Sequence, residues 1–455
     1  MDPAAALERR PVRVGLIGAG VVAIVAVAVA AGSGIVAGRT AILLAAGLGG
    51  ALGLTGLAVV RYEVFLAFLI TARASLDVIK VGSGSSVDAT GAISVLFIGG
   101  TFLWLLRSDR SLETPTAARP ILLPLLALLG AGAISVAFSD HPLESSLELV
   151  RMGTVVVIVL ALGHAIRSWD DVRRFLIAFF CSAILPIAVA GSELLRGGGA
   201  RLTPEGVSRI NGTFQHPNPF GAYLFLVIVL AVALFPHVSN RWRWGLGGVA
   251  VASAGILITT YTRGAWVATV IGLAIVGLLQ SRRVLWLMGA SILAAVLLVP
   301  SVGSRLSDLS QERTVYGAPG NSLVWRFQYW QQALALQDDP VFGIGLRGIE
   351  LEDEDAAAAH NDYVRLYVET GIVGLLAYLW LFVALYREAI RTYRRAPPGV
   401  GRGLAVAFLA TLTGIVILSM AANVVSQLVI LWYFAAVIVL ALVAANLPPL
   451  SPREA

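Results

Sequence analysis

Apolar runs long enough to cross a membrane recur along nearly the whole chain. They constrain its fold more than any motif does. They lie at about 12–32, 41–60, 62–79, 88–106, 120–138, 146–166, 173–195, 218–236, 244–261, 264–280, 284–300, 370–391, 403–423 and 427–446. As an α-helix, a run of ~20 residues crosses the ~30 Å hydrocarbon core of a bilayer. A helix also satisfies its backbone N–H and C=O groups internally, which hydrocarbon demands. The runs lack the apolar–polar alternation of barrel strands. The chain therefore reads as an all-α polytopic membrane protein with about 12–14 transmembrane helices. Composition agrees. Only 13% of residues are charged and mean hydropathy is +0.83, whereas soluble domains are about 25% charged.

The net charge of +6 sits mainly in the connections between runs. It reads as membrane topology and implies no nucleic-acid partner. With the N-terminus inside, the inner connections hold Arg61; Arg107 and Arg110; Arg167, Arg173 and Arg174; Arg241 and Arg243; Arg282 and Arg283; and Arg387, Arg391, Arg394, Arg395 and Arg402. The outer connections at 33–40, 80–87, 139–145 and 424–426 are nearly free of arginine. Both termini are thus expected in the cytoplasm. Arg9, Arg10 and Arg13 precede a long apolar stretch without a clear cleavage site, which reads as a retained first helix. Lys80 is the only lysine, and the single Cys181 excludes an intramolecular disulfide or a cysteine metal cluster.

One long segment, 301–369, is polar and cannot lie in hydrocarbon. The expected organisation is an N-terminal bundle over 1–300, a large extracytoplasmic loop containing short helices over 301–369, and C-terminal spans over 370–455. Within the loop, Val324 to Leu336 has amphipathic helical spacing, and Asp338-Asp339-Pro340 ends it. Tyr363 to Val368 begins another helix that leads into the span at 370. Three smaller outer pieces are 196–217, the corner Tyr261-Thr262-Arg263-Gly264, and Ser139 to Glu144.

Arginines on the outer side run against the topology trend. They are Arg209, Arg263, Arg305, Arg313, Arg326, Arg347 and Arg365. Guanidinium groups bind phosphate oxygens through a planar fork and stay charged. Together, Arg209, Arg263 and Arg326 point to a shared anionic ligand such as a diphosphate. The competing reading pairs them with headgroups or with Glu350, Glu352, Asp353, Glu354 and Asp355. His360 follows that acidic run. A histidine can act as a general base near neutral pH, but a loop histidine can equally be polar surface. His216 with Pro217-Asn218-Pro219 reads as a helix entry, with Asn218 as N-cap. Glu144, Glu148 and Arg151 share a helix face. Gly343-Ile344-Gly345-Leu346-Arg347-Gly348 matches G-x-G-x-x-G, but no strand–helix–strand unit surrounds it. It reads as a tight turn before the acidic loop.

Four motifs occur in order: R-I-N-G-T-F-Q-H-P-N-P-F-G-A-Y; T-Y-T-R-G-A-W; W-R-F-Q-Y-W-Q-Q-A-L with D-D-P-V-F-G-I-G; and H-N-D-Y-V-R-L-Y-V-E-T-G-I-V-G-L-L. Over about 205–385 the chain thereby resembles the O-antigen ligase and polymerase superfamily. That resemblance implies a C-type glycosyltransferase-like enzyme with no cofactor, metal or nucleotide sugar. Its donor would be a glycan on undecaprenyl diphosphate, and its acceptor a glycan or lipid A-core. It would lie in the bacterial cytoplasmic (inner) membrane with its site on the periplasmic or extracellular face. By motif position, Arg209, Arg263 and Arg326 would bind the diphosphate, and His360 would activate the acceptor hydroxyl. Asn361, Tyr363 and Arg347 are further candidates. The span count departs from the ligase pattern, so ligase and polymerase both stay open. A different class, a transporter or flippase of lipid-linked sugar or a small anion, would show broken helices in matching halves and midplane charges. Here the polar residues concentrate at one face.

Overall fold

Hydropathy sets the elements of this protein, and packing sets which of them lie inside. The computed structural model describes residues 50–76, 89–107, 115–116, 118–199, 201–202, 208–298, 322–352 and 360–448. The run at 12–32, Arg9, Arg10, Arg13, Asp77, Lys80, Arg110, Arg305, Arg313 and Asp353 to Asp355 lie outside these residues.

The helices are α1 (Gly50–Val60), α2 (Tyr62–Arg73), α3 (Ala89–Arg107), α4 (Arg119–Val136), α5 (Pro142–Ala165), α6 (Trp169–Cys181) and α7 (Ile184–Leu195). A two-stranded antiparallel ribbon follows, β1 (Arg201–Leu202) with β2 (Ser208–Arg209). Next come α8 (Pro217–Leu234), α9 (Asn240–Thr259), α10 (Arg263–Leu279) and α11 (Arg282–Leu298). The last are α12 (Ser322–Ala335), α13 (Gly348–Glu352), α14 (Asp362–Arg395), α15 (Val400–Leu418) and α16 (Leu428–Ala444). Six helical stretches are long and apolar enough to cross a membrane: Arg119–Val136, Pro142–Ala165, Trp169–Leu195, Pro217–His237, Asp362–Arg395 and Val400–Leu418. Shorter apolar helices are Gly50–Val60, Leu96–Leu106, Arg263–Leu279 and Leu428–Ala444. The protein is an all-α polytopic membrane protein.

The chain divides into two compact units, 1–69 with 81–113, and 70–80 with 114–455. In the first, Tyr62 stacks on Trp104 with ring centroids 4.2 Å apart. Its hydroxyl donates to Thr101 Oγ1 at 3.0 Å. In the second, α8 and α16 are buried along almost their whole lengths. Both are apolar on every side, as helices at the centre of a bundle must be. Around α8 pack α9, α10, α15 and α16, while α14 packs on α4 and α15. By contrast α11 has no buried residue and turns Trp286 and Leu298 outward.

Two sequence expectations change. The run at 173–195 is broken between α6 and α7. Pro186 has no N–H, and its ring opposes the carbonyl of Ser182, so the helix interrupts there. Upstream, α6 starts at a capping box, with Ser168 accepting from the Asp171 N–H and Asp171 reaching back to the Ser168 N–H. The cap of α8 is His216, not Asn218. Pro217 and Pro219 carry no N–H, so the first donor is the Asn218 N–H, and His216 Nδ1 accepts it at 3.1 Å.

Candidate functional site

The site builds outward from two corners. At the first, α9 ends and α10 begins through Thr260-Tyr261-Thr262. Arg209 leaves β2 and ties this corner to the start of α8. Its Nε donates to the Thr260 carbonyl at 2.9 Å, and Nη2 donates to Asn218 Oδ1 at 2.8 Å and Thr262 Oγ1 at 3.2 Å. The Ile210 N–H adds a bond to the Thr259 carbonyl at 3.2 Å. Gly221 lets the two helix starts meet, because a Cβ there would come within 3.1 Å of Thr262 and Ala265. Arg263 occupies the first position of α10, half-buried. A cation there opposes the helix dipole, while the N–H groups of the same turn favour an anion.

At the second corner, Asn361 caps α14. Its Oδ1 accepts from the Tyr363 and Val364 N–H groups at 2.9 and 3.2 Å. Its own N–H donates to Asn423 Oδ1 at 3.1 Å. The buried Asp362 carboxylate accepts from the Val424 and Val425 N–H groups at 3.0 and 3.2 Å. Tyr363 donates its hydroxyl to the Val416 carbonyl at 3.1 Å. Tyr363 thus holds α14 against the end of α15, and Asn361 holds it against the turn that follows. His360 precedes them, largely shielded from solvent. Burial first, then the Arg326 guanidinium, push its imidazole down to about 4, with Glu350 pulling the other way. At neutral pH the ring is therefore uncharged and able to accept a proton.

Residues 418–425 touch both corners. Gly264 faces Ala421 and Leu418, which a Cβ would meet at 3.6 and 3.7 Å. On the other side, the Asp362 N–H donates to the Ser419 carbonyl at 2.8 Å. Arg209 and Arg263 share the first corner, His360 feels Arg326 at the second, and one short turn lies between them. Three non-glycine residues among those described have positive φ: Tyr261 (50°), Arg347 (63°) and His360 (50°). That geometry costs about 1–3 kcal/mol each and clusters at functional sites. Tyr261 and His360 lie at the two corners, and Arg347 lies in the turn at 343–348.

The stretch 340–345 is locked to α14 at a break. Gly371, with φ 64° and ψ −169°, interrupts the helix. The freed carbonyls of Val368 and Glu369 accept from the Ile344 and Gly345 N–H groups, both at 3.1 Å, and the Ile372 N–H donates to the Pro340 carbonyl at 2.9 Å. Gly343 and Gly345 supply the positive φ of the turn, so the G-x-G-x-x-G stretch is the tight turn its sequence predicts. Ser145 Oγ donates to the Leu346 carbonyl at 2.8 Å, and Phe138 stacks on Phe342 with centroids 4.9 Å apart. The amphipathic α12 closes this assembly through Tyr329 and Ala333 against Ile349 and Val368.

Arg347 and Arg365 are each held by carboxylates. Arg347 Nε sits 3.3 Å from Glu350 Oε2. Arg365 is buried, 2.9 Å from Glu369 and 3.9 Å from Glu148, which also meets Arg151 at 3.4 Å. Arg365 also donates to Ser426 Oγ. Removing one member of a buried pair leaves an uncompensated charge, at about 3–5 kcal/mol. Glu369→Ala should therefore lower the thermal midpoint of the detergent-purified protein sharply. Joint replacement, Glu369→Leu with Arg365→Met, should recover part of the loss. An unchanged midpoint in the single variant would contradict the pairing.

Comparison with known proteins supports the resemblance read from the motifs. Residues 248–379 match the O-antigen ligase family. The match runs from α9 into α14 and includes Arg263, Arg326, Arg347 and His360, while Arg209 lies upstream. The chain is also 26% identical over 209 residues to the exopolysaccharide production protein ExoQ of Rhizobium meliloti (strain 1021), covering 40% of this chain and 47% of that protein. It spans about half the length of the curated relative it matches. Residues 248–379 are thus similar to the O-antigen ligase family, and part of the chain is similar to a protein of exopolysaccharide production.

Proposed function

We propose that this O-antigen ligase-related chain transfers a glycan from undecaprenyl diphosphate to a glycan hydroxyl at the outer membrane face. The observation that carries the reading is the turn at 418–425, which abuts both the Arg263 corner and the His360 corner. In the reaction the bond from the anomeric carbon to the diphosphate oxygen breaks, and its electron pair stays on the diphosphate. The acceptor oxygen bonds to that carbon, and His360 takes the hydroxyl proton. Negative charge grows on the leaving diphosphate. Arg263 and the N–H groups opening α10 stabilise it most where it is fully developed, in the transition state. Arg209 supports that role by fixing the corner, and Arg326 adds positive potential beside His360. No metal or cofactor enters the scheme.

The relative's role in exopolysaccharide production favours polymerisation of a repeat unit, with ligation onto lipid A-core as the second reading. Reconstitution with undecaprenyl-diphosphate glycan separates them. A product ladder identifies a polymerase, a single added block a ligase, and unconsumed donor would refute both.

The depressed His360 gives a pH signature. Its neutral form is the active base, so kcat/KM should stay level from neutral pH to about 5 and fall toward pH 4, because kcat/KM reports the free enzyme. Arg326→Ala removes a positive neighbour, so the acid limb should move up toward the ordinary histidine value of about 6.5. A wild-type limb already near 6.5 would contradict the assignment.

A further inference from the structure

We infer that the cleft at the Arg395 end of α14 binds the headgroup of an anionic phospholipid. This site lies at the far end of the 34-residue α14 from Asn361 and does not rest on the transferase reading. The cleft, of about 140 Å³, opens between α4, α14 and α16. Glu388, Arg391, Thr392 and Arg395 form its polar wall, and Pro120 and Leu442 are among its apolar lining.

Charge decides what would sit there. Arg391 Nη1 lies 2.5 Å from Glu388 Oε1, so these two largely neutralise each other. Arg395 makes no hydrogen bond or ion pair among the described residues and leaves the wall one positive charge in excess. Arg387, Arg394 and Arg402 raise the positive potential of the same end. A phosphodiester of charge −1 matches that excess, and its oxygens suit a guanidinium fork.

Position decides that the phosphodiester belongs to a lipid. Leu376, Leu379, Trp380 and Val383 form an exposed apolar stripe on α14. At helical spacing that stripe continues through the exposed Arg387 to Arg391 and Arg395. A ligand with its anionic head at the arginines and an acyl chain along the stripe would meet both surfaces. Basic pockets between helices at the positively charged ends of spans have this chemistry.

The test uses delipidated full-length protein in neutral detergent, with thermal midpoint followed during titration. Phosphatidylglycerol should raise the midpoint saturably, while phosphatidylcholine and inorganic phosphate should not. Joint replacement Arg391→Ala with Arg395→Ala should raise the half-saturating phosphatidylglycerol concentration on the order of 25-fold, at about fivefold per arginine. Arg395→Gln, an exposed single change that keeps the Arg391–Glu388 pair, should raise it about fivefold. A control, Arg282→Ala with Arg283→Ala, removes equal charge from the exposed start of α11 and should leave it unchanged. Equal stabilisation by phosphatidylcholine would overturn the site. So would an unshifted titration in Arg395→Gln. The same protection by phosphate alone would overturn the lipid as its ligand.

Discussion

Arg263→Ala is expected to slow glycan transfer by about 10²–10³-fold, the loss typical of removing one donor to a developing oxyanion. Protein level and membrane insertion should stay normal. Arg263 is half-buried at the first turn of α10, and it plugs no core. The corner that positions it is tied independently by Arg209 through Thr260, Thr262 and Asn218. Arg263→Lys should recover only part of the rate, because an ammonium keeps the charge but loses the planar fork. The readout is release of lipid diphosphate from a defined donor in proteoliposomes. Release by Arg263→Ala at more than half the wild-type rate would remove Arg263 from the mechanism.

Gly371→Ala should be the most damaging small substitution where the 340–345 turn meets α14. Gly371 adopts φ 64°, where an L-residue pays about 1–2 kcal/mol. A Cβ there would also overlap the Val341 carbonyl and crowd the Phe342 N–H. Relief of that overlap must displace 340–345, which breaks the bonds from Ile344, Gly345 and Ile372 to and from the helix break. Buried backbone groups left without partners cost about 1–3 kcal/mol each. The combined loss should exceed about 4 kcal/mol, in the range reserved for a specific structural failure. Low yield, or proteolysis within 338–348 of the folded protein, would report it. A variant with wild-type yield, thermal midpoint and protease resistance would show that the helix break tolerates a side chain.

Hydropathy made the helices legible because hydrocarbon demands long apolar segments whatever their partners. From the run at 41–60 onward, each has a helix in the described residues, and α12 begins and ends close to where its amphipathic spacing places it. Local breaks were less legible. Pro186 offered a signal inside the run at 173–195, yet an apolar stretch of the right length hides a proline. The cap of α8 depended on counting N–H donors between two prolines, which favours His216 over Asn218.

The candidate site was legible as residues and not as geometry. Arg263 and His360 stand out because they are charged or titratable beside apolar spans. The turn at 418–425 that joins their corners has an unremarkable sequence, Leu418-Ser419-Met420-Ala421 leading to Asn423, so nothing marks it in advance. Arg365 looked like its neighbours in the outer set, but its partner Glu148 lies on α5, far away in sequence, and only packing reveals that pair. Asn361 carries cap chemistry that its place before Asp362 allowed, although the motif first drew it toward the substrate.

Acceptor-dependent release of undecaprenyl diphosphate tests the central claim most directly. Proteoliposomes would hold wild-type protein or His360→Ala, with a defined lipid-diphosphate glycan and a glycan acceptor. Wild-type protein should release lipid diphosphate in step with product, and His360→Ala should do so about 10²–10⁴-fold more slowly, the range for loss of a general base. Equal release by both proteins, or none by wild type with each candidate acceptor, would contradict transfer at the His360–Arg263 site.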